Sequence, residues 1–222
     1  MQKFPHYRHL IQTPFPYQLY LVTDEAACLG RDFYWVVEEA LKGGIDLLQL
    51  REKTLPRNTF SERGKRVKDL CSKYGVPLII NDVIQVAKEV GAYGLHLGQK
   101  DEPISHAKNL LGIDYPIGIS LEIPSQLNHP QIESAWYLGV SPIYPTPTKK
   151  DTISVWGLEG LQKLRKMTHL PLVAIGGIQL SNAQMIIRSG ADCLAVVSGI
   201  CSADQPAVAA ENLKREIEKA KT

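Results

Sequence analysis

The residues able to do chemistry sit in short polar clusters, each following an apolar run. In "QLREK" an amide and two cations, Gln49, Arg51 and Lys53, occupy alternate positions, so all three face one side if the strand continues through Lys53. Two inward cations are costly unless an anion neutralises them, and phosphate or diphosphate suits the pair because Arg binds it bidentately and Lys adds a compact charge. Taken alone, such a triplet is more often a solvated strand end. Asn81-Asp82 closes a second apolar run, and Asp101 follows a third in "LHLGQKD". Either carboxylate alone reads as a helix cap or a loop residue. Ending adjacent strands, the two are close enough to share one ion. Carboxylates beside cations balance a complex such as magnesium diphosphate, since Mg²⁺ takes a few carboxylates plus phosphate oxygens and water.

Three further clusters could contribute. "PTPTKKD" places Thr146 and Thr148 beside Lys149 and Lys150; it reads either as a Pro-stiffened exposed loop or as a segment whose Lys149 reaches the same anion. "AIGGI" (174–178) and "AVVSGI" (195–200) bring Gly176, Gly177, Val197 and Ser198 to the ends of the last two apolar runs, where glycine allows close backbone approach and barrels often hold phosphate. His96 falls inside a run and reads as a packing histidine, and Trp136 and Trp156 likewise read as packing rather than base-stacking residues.

These clusters need elements to bring them together. Eight apolar runs can be marked, at 17–23, 45–50, 76–81, 93–97, 115–120, 135–140, 170–175 and 192–198. Most are near-continuous rather than alternating, the pattern of parallel strands buried on both faces. Segments of helical spacing separate them, among them "DFYWVVEEALKGG", "TFSERGKRVKDLCSKYG", "VIQVAKEVGA" and "SNAQMIIRSGA", several closing on glycine as a helix C-cap would. An open doubly wound sheet has the same local pattern, but a count of eight favours a closed (β/α)8 TIM barrel, with catalytic groups at the C-terminal strand ends. The expected organisation is an N-terminal extension over 1–16 and a single barrel domain over 17–222, finishing in the amphipathic helix "QPAVAAENLKREIEKAKT".

The chain has 222 residues, 44% apolar and 22% charged, enough apolar material for one large core. Its 25 basic and 23 acidic residues form no long block of one sign, which argues against a nucleic-acid or membrane surface and makes any anion site local. The four cysteines show neither CxxC spacing nor companion histidines, so a reducing cytoplasm is expected rather than a disulfide framework or structural zinc. Prolines and histidines interrupt the first eighteen residues, where a secretory signal would need an unbroken apolar run.

In this order and spacing, "QLREK", "ND", "HLGQKD", "GIS", "PTPTKKD", "AIGGI" and "AVVSGI" resemble the thiamine phosphate synthase family, from about residue 18 to about residue 200. The resemblance implies a transferase that joins 4-amino-2-methyl-5-hydroxymethylpyrimidine diphosphate to a thiazole phosphate, releasing pyrophosphate. It implies that Gln49, Arg51, Lys53, Asn81 and Lys149 hold the pyrimidine diphosphate with Ser120 near the pyrimidine ring. Asp82 and Asp101 would ligate Mg²⁺, and Thr146, Thr148, Gly177, Val197 and Ser198 would bind the thiazole phosphate. The family reacts dissociatively, so Arg51, Lys53, Lys149 and Ser120 would stabilise and orient rather than act as acids or bases.

Four positions depart from the family pattern: Val83 where Arg usually follows Asn-Asp, Trp136 where Asp is frequent, Ser141 in place of Gly, and Leu121 after Ser120. The related thiazole tautomerases use a histidine at the position of Leu121. A non-catalytic paralogue binding thiazole or thiamine phosphates is kept open by Val83 and Trp136. An unrelated phosphate-binding isomerase or aldolase would need Glu52 or Lys53 as its catalytic group. The expected ligands are small molecules, with no nucleic acid and no membrane; a homodimer is compatible with the sequence without being implied by it. The length of "PTPTKKDTISVWG" makes a lid over the site plausible.

Overall fold

A computed structural model describes residues 14–146 and 154–222. Among them, eight parallel strands close into a barrel in sequence order: β1 (Leu19–Val22), β2 (Leu47–Leu50), β3 (Leu78–Asn81), β4 (Gly94–Leu97), β5 (Ile117–Leu121), β6 (Tyr137–Val140), β7 (Leu172–Ile175) and β8 (Cys193–Val196). Pairing of Leu19 with Leu194 and of Leu21 with Val196 joins the last strand to the first and excludes the open sheet. Each strand starts one or two residues after its apolar run begins, because the leading residues lie in the turn entering the strand. There Asp46 accepts from the backbone N–H groups of Gln18 and Leu19, both at 2.9 Å.

Helices α1 (Phe33–Lys42), α2 (Arg57–Tyr74), α3 (Ile84–Val90), α4 (Ile104–Leu111), α5 (Gly157–Met167), α6 (Ala183–Arg188), α7 (Ser198–Cys201) and α8 (Pro206–Lys221) surround the strands. Local sequence sets their ends. Asp32 caps α1 by accepting from the Trp35 N–H at 2.7 Å, and α2 stops at Gly75, whose φ of 69° fits a residue without a Cβ.

Two apolar layers explain why the strands read as continuous runs. Leu48, Leu50, Ile80, Leu95, Leu97 and Leu138 face outward against the helices, while Tyr20, Leu47, Ile79, Tyr137, Val173 and Cys193 fill the barrel interior. Burying either set contributes roughly 1.5–3 kcal/mol per large side chain. Underneath, Trp136 packs against Phe15 and Tyr17, with ring centroids 5.0 and 5.7 Å away, and against Tyr93 at 5.7 Å. The aromatic residue at 136 therefore joins the chain entering β1 to the lower end of β6, far from the opposite rim. Trp156 is the packing residue the sequence suggested, and its Nε1–H donates to the Leu121 carbonyl at 3.2 Å. The four cysteines are buried free thiols. No described helix is long and apolar enough to cross a membrane.

Candidate active site

The C-terminal ends of the strands enclose a cavity of about 340 Å³. Gln49, Arg51, Lys53, Asn81, Asp82, Asp101, Ser120, Thr146, Gly177, Val197 and Ser198 all line it. Thr148 and Lys149 lie outside the described residues, as does the middle of the loop read as a lid.

β2 ends at Leu50 rather than running on through Lys53. The ladder continues only as far as the Thr23 N–H, which donates to the Gln49 carbonyl at 2.9 Å; the Arg51 N–H then turns to the Thr23 hydroxyl at 3.1 Å. Arg51 and Lys53 reach the cavity from a loop, so strand alternation is not what aligns them. Glu52 between them points away, paired with Arg63 of α2 at 2.7 Å. Burial pushes its carboxyl up despite that partner. This buried pairing ties the loop to α2 and removes Glu52 as a catalytic group. At the rim, Arg51 lies 3.6 Å from Asp24.

Asp82 does not cap a helix. α3 begins at Ile84 with Val83 at the N-cap position and no side-chain cap bond. Asp82 instead adopts φ 62° and accepts from Lys53 Nζ at 2.5 Å. A left-handed aspartate held at a cavity mouth is a small store of strain. Asp101 accepts from the Gly98 N–H at 2.6 Å. Its carboxyl is pushed up, first by burial and then by its hydrogen bond with Asp82, and both acids line the one cavity. A divalent cation relieves such crowding, and Mg²⁺ asks for no more than one or two carboxylates when phosphate oxygens supply the rest. Among the described residues no cluster of three potential metal-binding side chains is found. Deeper in, Asn81 Nδ2 is buried with no partner, an orphan donor at the cavity wall that a ligand acceptor would satisfy.

On the opposite side, Gly177 has φ 65°, and a Cβ there would come within 2.6 Å of the Tyr144 Cβ. Glycine lets the loop after β6 lie on the loop after β7. Val197 and Ser198 adjoin these glycines at the start of the four-residue α7.

The sequence reading missed His96. It is buried at 5% exposure, as a packing residue would be, yet it lines the cavity and its Nε2 lies 3.0 Å from Ser120 Oγ. The available signal was strand register: His96 pairs with Asn81 and Gly118 on the adjoining strands and shares their inward face. The departures resolve differently. Leu121 is fully buried in the helix-facing layer, with Val83 packed against that layer, so neither reaches the cavity. Ser141 does line it.

Similarity to known proteins agrees with this geometry. A protein-family model described as thiamine monophosphate synthase matches residues 19–200. The chain belongs to that family. It is 47% identical over 201 residues to a thiamine-phosphate synthase of Albidiferax ferrireducens, covering 90% of this chain and 92% of the relative. Identity to one from Leptospira biflexa is 43% over 205 residues, covering 89% and 96%. Among solved structures, thiamine phosphate pyrophosphorylase from Pyrococcus furiosus superposes with a TM-score of 0.84 at 32% identity, covering 93% of this chain and 98% of that one. A 3-hexulose-6-phosphate synthase superposes at 0.67 with 14% identity, a likeness of fold alone.

Proposed function

We infer that this chain is a thiamine-phosphate synthase, a transferase that joins the methylene carbon of 4-amino-2-methyl-5-(diphosphooxymethyl)pyrimidine to the nitrogen of 4-methyl-5-(2-phosphooxyethyl)thiazole and releases pyrophosphate. The observation that carries the reading is the pairing of Asp82 with Asp101 beside Lys53, Arg51 and the unpartnered Asn81 amide in one cavity. Cations, acids and an orphan donor together fit a metal-bound diphosphate better than a bare phosphate.

Arg51 and Lys53 face the departing diphosphate and offset its growing charge, Asn81 Nδ2 donates to it, and Gln49 and Ser120 hold the pyrimidine ring. Lys149 is assigned to the same diphosphate, and Thr146, Thr148, Gly177, Val197 and Ser198 to the thiazole phosphate. Mg²⁺ held by Asp82 and Asp101 would supply charge neutralisation for the leaving group. The carbon–oxygen bond breaks first; the amino-substituted ring carries the positive charge, and the thiazole nitrogen then donates its electron pair to the carbon. Such a path needs positioned charge rather than a general acid or base. The tautomerase reading is disfavoured by Leu121, which packs away from the cavity, and the isomerase or aldolase reading by Glu52, which is paired with Arg63, and by Lys53, which is held on Asp82. Residues 17–222 form the catalytic barrel in this reading and 1–16 an extension; the free thiols support a cytoplasmic setting.

Incubation of the purified chain with both substrates and Mg²⁺ should yield thiamine phosphate and pyrophosphate in equal amounts. Folded protein that binds both substrates and forms neither product would refute the assignment.

A further inference from the structure

A chain of four hydrogen bonds crosses the barrel beneath the cavity. Gln49 Nε2 donates to Tyr20 Oη at 2.8 Å, Tyr20 and Tyr137 hydroxyls meet at 3.0 Å, Tyr137 Oη meets His96 Nδ1 at 2.8 Å, and His96 Nε2 meets Ser120 Oγ at 3.0 Å. Glycines open the space for it. A Cβ on Gly118 would lie 2.1 Å from the Tyr137 ring, and one on Gly139 would lie 2.9 Å from the His96 ring.

Proton bookkeeping gives the chain a direction. An amide nitrogen only donates, so Tyr20 Oη accepts from Gln49 and must pass its own hydrogen to Tyr137, its other partner. Reversing that bond would leave a fully buried hydroxyl hydrogen without an acceptor. Tyr137 then donates to His96 Nδ1. Accepting there makes His96 the neutral Nε2–H tautomer, which donates to Ser120 Oγ. Ser120 is left with its hydrogen to give to the cavity, and at the far end Gln49 keeps its carbonyl oxygen to accept from it. Burial drives both tyrosine hydroxyls well above their ordinary range, so both keep their hydrogens at neutral pH.

We propose that Tyr20, Tyr137 and His96 are positioning residues that fix Ser120 as a donor and Gln49 as an acceptor, selecting a ring with an unprotonated nitrogen and an amino group over its oxo counterpart. This rests on the functional reading above and adds a specificity device to it. The 4-oxo ring exchanges donor for acceptor at both positions and meets the wall with like groups opposed. A site built to hydrogen-bond one pattern rejects the other because its own buried groups are left unpaired.

Two measurements test it, neither dependent on turnover. Nitrogen-15 NMR of histidine-labelled ligand-free protein, with His96 assigned by loss of its signals in His96→Asn, should show Nε2 protonated and Nδ1 bare. An Nδ1–H tautomer or an imidazolium at neutral pH would overturn the proposal. By calorimetry, wild type should favour the aminopyrimidine monophosphate over its 4-oxo analogue, and Tyr137→Phe, which keeps the ring in its glycine slot, should shrink that preference by about tenfold. Tyr20→Phe should shrink it less, since Tyr137 can still donate to His96. A merely structural role would weaken both ligands equally, and an unchanged ratio in Tyr137→Phe would sink the idea. Failure of synthesis with the tautomer and preference intact would instead fault the assigned reaction.

Discussion

Lys53 Nζ lies 2.5 Å from Asp82 Oδ2, across the gap between the loop after β2 and the end of β3. The pair puts the cation proposed for a leaving group directly on an acid proposed for its metal. Asp82 also holds φ 62°, which Asn tolerates better than Ala. Asp82→Asn should therefore keep its melting temperature within a few degrees and lose turnover by roughly a hundredfold or more. Asp82→Ala should lose as much turnover and an additional ~1 kcal/mol of stability from backbone strain. Activity within a few-fold of wild type in either variant removes Asp82 from the metal site.

Mg²⁺ should stabilise the protein through the crowded acids. A divalent cation at a hundred times its dissociation constant adds about 2.7 kcal/mol, visible as a rise in melting temperature that grows when pyrophosphate is added. Asp101→Asn should abolish most of the rise, and chelation with EDTA should stop turnover by wild type. A melting curve insensitive to Mg²⁺ with pyrophosphate present would show that the acids bind no metal.

Gly177→Ala meets both a left-handed backbone and a 2.6 Å approach to Tyr144. The loop after β6 would be pushed off the loop after β7, on the side assigned to the thiazole phosphate. KM for that substrate should rise about tenfold, equivalent to roughly 1.4 kcal/mol, with KM for the pyrimidine diphosphate nearly unchanged. Equal effects on both would place the glycine elsewhere in the scheme.

Away from the site, Glu89 of α3 accepts from Ser61 Oγ at 2.5 Å and from Arg57, both on α2. Its carboxyl is held below its ordinary value of 4.5, first by Ser61 and then by Arg57. The folded value being the lower one, this contribution is present above the unfolded value and is lost as pH falls through the folded one. Glu89→Gln should melt below wild type at pH 7, and the two curves should converge in acid. A difference that persists at the lowest pH would mean that packing, not ionisation, is responsible.

Much of this was legible in the linear chain. A strand buried on both faces must be apolar at nearly every position, so runs such as "VPLIIN" and "LPLVAI" identify themselves, and eight of them separated by helical spacing imply a barrel. Charge in a local cluster is legible too: Arg51, Lys53 and Asp82 stand out because nothing apolar surrounds them in sequence. What the sequence leaves open is direction. Alternation aligns Gln49, Arg51 and Lys53 only if the strand runs on through Lys53, whereas it ends at Leu50 and the Thr23 side chain turns the backbone.

His96 shows the limit more sharply. By itself a histidine between two leucines is packing, and so are Tyr20 and Tyr137, 117 residues apart in the chain. Residue types and local periodicity determined the strands, the helices and the polar rim, because those depend on neighbours a few positions away. Which buried hydroxyl meets which imidazole was decided only when β1, β4, β5 and β6 were brought around one axis, since a hydrogen bond depends on distance through space and closing the barrel sets that distance.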